Sequence, residues 1–277
     1  MRIVNNISAL NTHRQLGITD RNMGKTLEKL SSGLRINRAG DDAAGLAISE
    51  KMRGQIGSMN MAIRNAEDGI SLIQTAEGAL NEVHSMLHRM RELAIQAKNG
   101  TLADTDMSEL QKEYNHLNEE ISRIFTVTKF NNKDLITVGD GTATGTVFGF
   151  QIGAAATDAL DVTIKELNKS DLSGTSIASA ASGGDDLADV LQYIDDFTQE
   201  VTSLRNDLGA FQNRMEHTIN NLGVSVENLS AAESRIRDAD MAAEMTNFTK
   251  HQILTQSATA MLAQANMRPQ SVLQLLG

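Results

Sequence analysis

The sequence contains no cysteine and no tryptophan, and it has a single proline, Pro269. The absence of cysteine excludes disulfides and thiol chemistry. Aromatic residues make up only 3% of the chain, so leucine, isoleucine, valine, methionine and alanine must supply the apolar volume. That mixture favours long helices packed along seams over a bulky spherical core. With one proline, most of the chain carries no strong helix breaker.

The charge and hydropathy of the chain argue against two further classes of protein. The net charge is −10, whereas a protein that binds nucleic acid needs clustered lysine and arginine to contact phosphates. The sequence has no run of about 18 apolar residues, so we expect no membrane insertion. The first residues also lack the long apolar segment of a secretory signal.

Both ends of the chain carry apolar residues at helical spacing. Chain termini are usually polar and loosely held, so such stripes indicate helices that need a partner outside themselves. The N-terminal stripe comprises Ile3, Ile7, Leu10, Leu27, Leu30 and Leu34, and the C-terminal stripe includes Met245, Phe248, Met261, Leu262, Leu275 and Leu276. We predict that these residues meet copies of the same chain and act in assembly between subunits. Met241, Leu254, Val272 and Leu273 belong to the same C-terminal stripe.

Repeating steps of three and four apolar residues predict two very long helices. The first extends from about residue 42 to residue 98, with an extra three-residue step at Ile73–Ala76 that indicates local overwinding. The second extends over about residues 186–236. Each is long enough to reach roughly 75–80 Å at 1.5 Å per residue.

A shorter helix and a small β segment are predicted between the long helices. Apolar spacing over residues 110–124 predicts the helix, with Ser108 and Gln111 as a capping box at its start. Residues 146–152 and 160–165 are rich in β-formers, and turn residues precede them, so they predict two short strands. The chain is therefore expected to be an elongated antiparallel bundle of long helices with a small β-hairpin segment.

Two long motifs resemble the terminal signatures of bacterial flagellins. Residues 30–48, LSSGLRINRAGDDAAGLAI, match the N-terminal signature. The C-terminal signature is matched by NNL at 220–222, AAESRIRDAD at 231–240 and AQAN at 263–266. The resemblance covers roughly residues 1–140 and 187–277, and the motifs occur in the right order at opposite ends. The chain resembles a short flagellin without large outer domains.

The resemblance implies a mainly α fold in which the N- and C-terminal helices form a coiled-coil inner domain beside the long-helix bundle. It implies four segments: residues 1–42 as the N-terminal inner-tube helix and spoke, 43–186 as the first half of a rod domain, 187–236 as its return helix, and 237–277 as the C-terminal inner-tube helix. The first half of the rod would contain the long helix, the shorter helix, the β segment and a linker.

The resemblance also implies a function. The chain would be a structural subunit that polymerises into the bacterial flagellar filament for motility, and it would not be an enzyme. It would be exported unfolded by the flagellar type III system and secreted to the extracellular filament. Its partners would be copies of itself, an export chaperone at the C-terminal helix, and the filament cap and hook-junction proteins. Recognition by the innate receptor TLR5 would be incidental.

Two groups of charged residues have roles that the resemblance implies. Arg35, Arg38, Asp41 and Asp42 would pair across subunits where the terminal segment meets the rod; from residue types alone they form a solvated polar loop. Arg89, Leu93 and Glu113 correspond to the TLR5 recognition patch. An axial contact between stacked subunits is the alternative for this patch, and both can hold because an assembly surface is exposed in the monomer.

Candidate sites for chemistry are few. His84 and His88 are four residues apart on a predicted helix, a spacing able to bind a metal. No third ligand is evident in the sequence, so a solvated helix face is the favoured interpretation. The glycine-rich segment 139–145 lacks the Gly-Lys-Ser/Thr of a phosphate loop. We therefore predict no catalytic residue, no cofactor and no bound metal.

Two other functions remain open at this stage. A flagellar junction protein joining hook to filament would share the apolar termini but should match the signatures less closely. A secreted module that binds a receptor through Arg89 and Leu93 would remain monomeric at high concentration, whereas a filament subunit would assemble.

Overall fold

A computed structural model describes residues 6–99, 102–139, 145–155, 157–168 and 186–276, with the backbone alone at 138, 139, 168, 186, 187 and 268–276. These residues form five helices and three short strand pairs. The helices are α1 Ile7–Ser32, α2 Ala43–Ala97, α3 Asp104–Val127, α4 Asp186–Arg237 and α5 Met241–Leu276. The strands are β1 Lys129–Phe130, β2 Lys133–Asp134, β3 Val138–Gly139, β4 Thr146–Gln151, β5 Ala159–Ile164 and β6 Leu167–Asn168. The predicted mainly α fold with a small β segment is confirmed.

The two long helices agree closely with the apolar periodicity. The predicted range 42–98 corresponds to α2, and 186–236 corresponds to α4. The start of α2 is fixed by Asp42, whose carboxylate accepts a hydrogen bond from the Gly45 backbone N–H at 2.9 Å. This contact satisfies one of the amide groups that a helix leaves unpaired in its first turn.

The chain divides into two compact units. We call residues 1–56 with 227–277 the terminal unit and residues 57–226 the central unit. The predicted linker Ser170–Gly184 lies outside the described residues.

The hydrophobic core lies in the central unit. Fully buried side chains from α2, α3, β5 and α4 form one cluster, and each element presents one apolar face to it. The α2 face includes Ile73, Leu80, Val83, Leu87 and Met90, and the α4 face includes Val190, Ile194, Val201, Leu204, Leu208 and Met215. Tyr114 and Ile121 of α3 and Val162 and Ile164 of β5 complete the cluster. Burial of these side chains is the main source of stability for the central unit.

Burial changes along the same apolar stripes. Toward the start of α2 the stripe residues Met52, Ile56, Met59 and Ile63 are only half-buried. The stripe of α4 likewise changes from full to partial burial after Met215, at Ile219, Leu222, Val226, Leu229 and Ile236. The periodicity is unbroken, so these segments carry helical apolar faces that one chain covers only in part.

The predicted start of α3 was wrong. Helix α3 begins at Asp104, so Ser108 lies inside it and donates its hydroxyl proton to the Thr105 carbonyl at 2.7 Å. Asp106 is the residue that serves the helix start, because its carboxylate accepts the Ala103 backbone N–H at 3.3 Å. The Ser108–Gln111 motif fits a capping box, but two acidic residues in an earlier turn extend the helix further.

The β segment consists of three pairs. Strands β4 and β5 form the predicted antiparallel hairpin, with Thr146 opposite Ile164 and Gln151 opposite Ala159. Strands β1 and β2 form a second antiparallel pair, which the sequence analysis did not predict. Strands β3 and β6 pair in parallel. Residues 140–144 of the predicted glycine-rich turn lie outside the described residues.

Candidate assembly interface

The two terminal helices pack against each other within the terminal unit, and polar contacts tie them near both ends of α1. The Asn6 side chain caps α1 by accepting the Ala9 backbone N–H at 3.2 Å, and it donates to the Ala265 carbonyl of α5 at 2.8 Å. Near the other end of α1, the Lys29 ammonium lies 3.6 Å from the Glu244 carboxylate. These contacts set the register between α1 and α5.

The interface between α1 and α5 buries only small side chains. Among the described side chains of these helices, the buried ones are Thr19 and Thr26 of α1 and Ala265 of α5, with exposed fractions of 6%, 9% and 8%. The two threonine hydroxyls donate to carbonyls of their own helix, at 3.0 Å and 2.9 Å. The pair of terminal helices therefore lacks the large buried aliphatic side chains that fill the central unit.

Large apolar side chains of the terminal helices face outward instead. Five of the predicted assembly residues are more than half exposed: Ile7 at 58%, Leu10 at 65%, Leu27 at 56%, Met245 at 52% and Met261 at 62%. Four others are half-buried: Leu30, Leu34, Phe248 and Leu262. Ile3 lies outside the described residues, as do the side chains of Leu275 and Leu276. An exposed apolar surface of this kind marks an interaction site.

Part of this surface was not predicted. Ile253 and Met267 of α5 are exposed although they lie off the predicted stripe. Met241 and Leu254 belong to that stripe and are exposed as well. Apolar residues are therefore spread around this helix. A helix that is apolar on more than one side is usually enclosed by partners. The spread of apolar residues around α5 is therefore the feature of the sequence that could have predicted the wider surface.

The segment after α1 is held by backbone pairing to the segment after α4. Gly33 ends α1 with a left-handed φ of 72°, which suits glycine. Its N–H donates to the Lys29 carbonyl at 2.8 Å. Leu34 and Asp238 then form an antiparallel β-bridge. The Ala239 N–H donates to the Gly33 carbonyl at 2.9 Å, so both links leave their helices side by side.

Arg35 connects this bridge to the end of α4. Its backbone N–H donates to the Arg237 carbonyl at 2.6 Å. Its guanidinium donates to the Ile236 carbonyl at 2.6 Å and the Arg235 carbonyl at 3.5 Å. A cation at a helix C-terminus donates hydrogen bonds to carbonyls that have no partner within the helix. Its positive charge also interacts favourably with the negative end of the helix dipole.

The other predicted charges of this segment also have partners within the chain. Asp41 accepts the backbone N–H groups of Arg38 at 3.2 Å and Asn37 at 3.3 Å, and these hydrogen bonds lower the pKa of its carboxyl below the ordinary value. The Arg38 guanidinium lies 2.9 Å from the Glu28 carboxylate. Arg35, Arg38, Asp41 and Asp42 are all exposed, so their charges remain accessible.

A second arginine fixes the end of α4 to α2. The Arg237 guanidinium donates to the Glu50 carboxylate at 2.6 Å, and this hydrogen bond, with the nearby positive charges, lowers the pKa of Glu50. Arg237 is almost buried, with a side-chain exposure of 14%. No local pattern predicts this pair, because its members are 187 positions apart in the chain.

The predicted receptor patch is only partly a surface. Arg89 of α2 and Glu113 of α3 form a salt bridge of 2.8 Å with side chains about half exposed, at 48% and 44%. Glu92 also pairs with Arg89, at 3.1 Å. Leu93, however, has an exposed fraction of 0% and belongs to the core. The structure therefore brings Arg89 and Glu113 together as expected, but Leu93 is not an exposed contact residue.

Family comparisons agree with this arrangement of terminal helices. The family model for the bacterial flagellin N-terminal helical region matches residues 3–138, and the model for the C-terminal helical region matches residues 191–276. Flagellin of Bacillus subtilis is 51% identical over 306 aligned residues, with complete coverage of both chains. A flagellar filament 31.3 kDa core protein of Treponema maltophilum is 44% identical, again over both full lengths.

A solved structure adds a comparison of the fold. A putative flagellar hook-associated protein from Vibrio parahaemolyticus is similar with a TM-score of 0.60 over 72% of this chain and 100% of its own, at 14% sequence identity. That similarity concerns the fold alone. In the described part of the chain, no helix is both long and apolar enough to cross a membrane. Both family models and the full-length relatives show that the chain belongs to the bacterial flagellin family, whose members are structural filament proteins and not enzymes.

Proposed function

We propose that this chain is the structural subunit of a bacterial flagellar filament. We further propose that α1 and α5 drive its polymerisation by packing against the terminal helices of neighbouring copies. The observation that carries the proposal is the outward apolar surface of these helices, led by Leu10, Leu27 and Met261. Burying apolar surface stabilises an interface by roughly 25 cal/mol per Å², so side chains exposed in one chain supply a driving force for assembly.

The form of the polymer follows from the kind of interface. A surface that packs against a different surface of the next copy is heterologous, and such contacts continue into an open helix unless the rotation closes a ring. The half-buried stripes of α2 and α4 provide further surface that neighbours can cover. In the filament, neighbouring chains would then bury the side chains of these stripes that are half-buried in a single chain.

Export in the unfolded state and protection before assembly belong to the same proposal. The described terminal helices bury no large apolar side chain completely, so their own contacts offset little of the entropy lost on ordering. Such helices fit an exported chain that orders fully only on polymerisation. Their apolar surface on α5 is also where an export chaperone would bind before secretion, and where cap and hook-junction proteins would meet the filament.

The charged link between α1 and α2 would contribute contacts between subunits. Arg35, Arg38, Asp41 and Asp42 are exposed and already held in place by hydrogen bonds within the chain. A fixed charge loses less side-chain entropy on pairing with a neighbour. We propose that these residues set how adjacent subunits slide past each other.

Recognition by TLR5 is a narrower proposal. Arg89 and Glu113 form an exposed, pre-arranged pair, and arginine is common among residues that dominate binding energy. Buried Leu93 would act indirectly, by supporting the backbone beneath Arg89. Replacing Glu113 with glutamine should weaken receptor signalling by the monomer, whereas replacing Lys112, an exposed neighbour on α3, with glutamine should not.

The assembly proposal is tested with a matched pair of substitutions on α1. Leu10→Asp places a charge within the apolar surface, and Asn11→Asp places the same charge at the next exposed position. The first should abolish or greatly reduce sedimentable filament, and the second should assemble as the unmodified chain does. Circular dichroism of both variants checks that the central unit remains helical. Normal filaments from Leu10→Asp, or from a chain lacking residues 1–34, would contradict the proposal.

A further inference from the structure

His84 and His88 of α2 form a close pair that the assembly proposal does not use. Their Nε2 atoms are 3.0 Å apart, and their ring centroids are 4.5 Å apart with planes inclined at 89°. The four-residue spacing places both imidazoles on one side of the helix. His88 is exposed and His84 is half-buried, so the shared space between the Nε2 atoms borders on solvent.

This separation matches two nitrogen ligands of one metal ion. Metal–nitrogen bonds of about 2.0–2.1 Å at a right angle place the two nitrogens about 2.9 Å apart, whereas a tetrahedral angle places them about 3.3 Å apart. The observed 3.0 Å lies between these two values, and without a metal it is the length of a hydrogen bond between the two rings. The preference for Cu²⁺ over Zn²⁺ follows from the general order in which divalent ions bind nitrogen ligands.

The charges around the pair are offset by partners. Two salt bridges join α2 to α4 on either side of it: Glu77 with Arg205 at 3.7 Å, and Arg91 with Asp195 at 2.8 Å. Each nearby arginine therefore has a carboxylate partner, which reduces its repulsion of a bound cation.

The buried Nδ1 of His84 has no hydrogen-bond partner, so a bound metal at Nε2 would leave the proton on an unpaired Nδ1, which moderates the affinity.

We propose that His84 and His88 bind a divalent transition-metal ion through their two Nε2 atoms, with preference for Cu²⁺. No group of three or more suitable side chains converges among the described residues, so water would complete the coordination. The sequence alone favoured a solvated helix face, and the convergence of the two Nε2 atoms is what changes that interpretation. The proposal is independent of filament assembly.

The test is a Cu²⁺ titration of the full-length chain at neutral pH, followed by calorimetry and by the electron paramagnetic resonance of the bound ion. We expect one Cu²⁺ per chain with the resonance pattern of two imidazole nitrogens. His88→Gln should weaken binding by at least about tenfold, because it removes half of the donor set. His217→Gln, which removes an exposed histidine of α4, should leave the affinity unchanged.

Three results would overturn the proposal. His88→Gln could bind Cu²⁺ as tightly as the unmodified chain, the resonance could show no imidazole nitrogen, or Zn²⁺ could bind more tightly than Cu²⁺. A thermal melt of each variant provides a second readout, because a ligand that binds only the folded chain raises the melting temperature. Cu²⁺ should raise it for the unmodified chain and for His217→Gln but not for His88→Gln.

Discussion

The guanidinium of Arg35 donates to the backbone carbonyl of Ile236 at 2.6 Å, across 201 positions of sequence. Arg35 lies in the link between α1 and α2, and Ile236 lies in the last turn of α4, so one side chain joins the start of one link to the helix that precedes the other. The same guanidinium also reaches the Arg235 carbonyl. It thereby stabilises the end of α4 at the point where the chain continues toward the C-terminal helix.

Replacing Arg35 with alanine should loosen the pairing of the two links. The side chain is exposed, so we expect a local loss of about 1 kcal/mol, the net contribution of a typical protein hydrogen bond. Hydrogen exchange of the Ala239 amide, which donates to the Gly33 carbonyl, measures the effect. Arg14→Ala removes an arginine within α1 and should leave that amide unchanged. Equal protection in both variants would contradict the role of Arg35.

The Glu50–Arg237 pair should make the terminal unit sensitive to acid. The pKa of Glu50 is lowered from its ordinary value of 4.5 by the hydrogen bond from Arg237. Its stabilisation is therefore present above about pH 4.5 and is lost as the pH falls through the lowered pKa of the folded chain. Glu50→Gln should flatten this part of the pH dependence. The measurement is the pH titration of amide signals around Arg237, and an unaltered titration in Glu50→Gln would show that another carboxyl is responsible.

Core packing in the central unit should dominate its stability. Leu87 is fully buried, so Leu87→Ala should cost about 2–5 kcal/mol of unfolding free energy by removing apolar contacts and leaving a cavity. Ile95 lies on the same helix and is 51% exposed. Ile95→Ala should therefore cost only about 0.5 kcal/mol or less. Urea unfolding of both variants provides the measurement, and similar losses would mean that the assignment of the core face is wrong.

The turn between β1 and β2 offers a test of backbone conformation. Asn131 and Asn132 both have positive φ, 49° and 62°, as a two-residue hairpin turn of type I′ requires. Asn132→Ala should cost about 1 kcal/mol because a Cβ without a polar group is strained there. Glycine adopts this conformation without strain, so Asn132→Gly should leave the free energy of unfolding nearly unchanged. Unfolding free energies that rank glycine below alanine would contradict this account.

The sequence predicted the helices well because their apolar periodicity is a local property. It could not predict how deeply each part of a stripe is buried, since that depends on partners from elsewhere in the chain. Leu87 and Met59 both belong to the apolar stripe of α2, yet Leu87 is fully buried and Met59 is half-buried. Leu93 shows the same limit, because its residue type and spacing fit a surface patch while packing places it in the core.

Contacts that fix the candidate interface were the least predictable. Two of these contacts join residues about 200 positions apart, namely Arg35 with Ile236 and Glu50 with Arg237. No local pattern in the sequence predicts such pairs. The prediction for the start of α3 failed for a local reason. The motif at Ser108 fits a capping box, but the helix begins earlier, at Asp104. The family was the most predictable feature, because its two signatures are long local motifs that family models match at both ends of the chain.

We propose that the exposed apolar surface of the terminal helices drives polymerisation. The most direct measurement is electron microscopy of the purified full-length chain after seeding or salting out at neutral pH. The account predicts long tubular filaments with the terminal helices protected from proteolysis inside them. A monomer that persists at high concentration with its terminal helices folded would contradict the account.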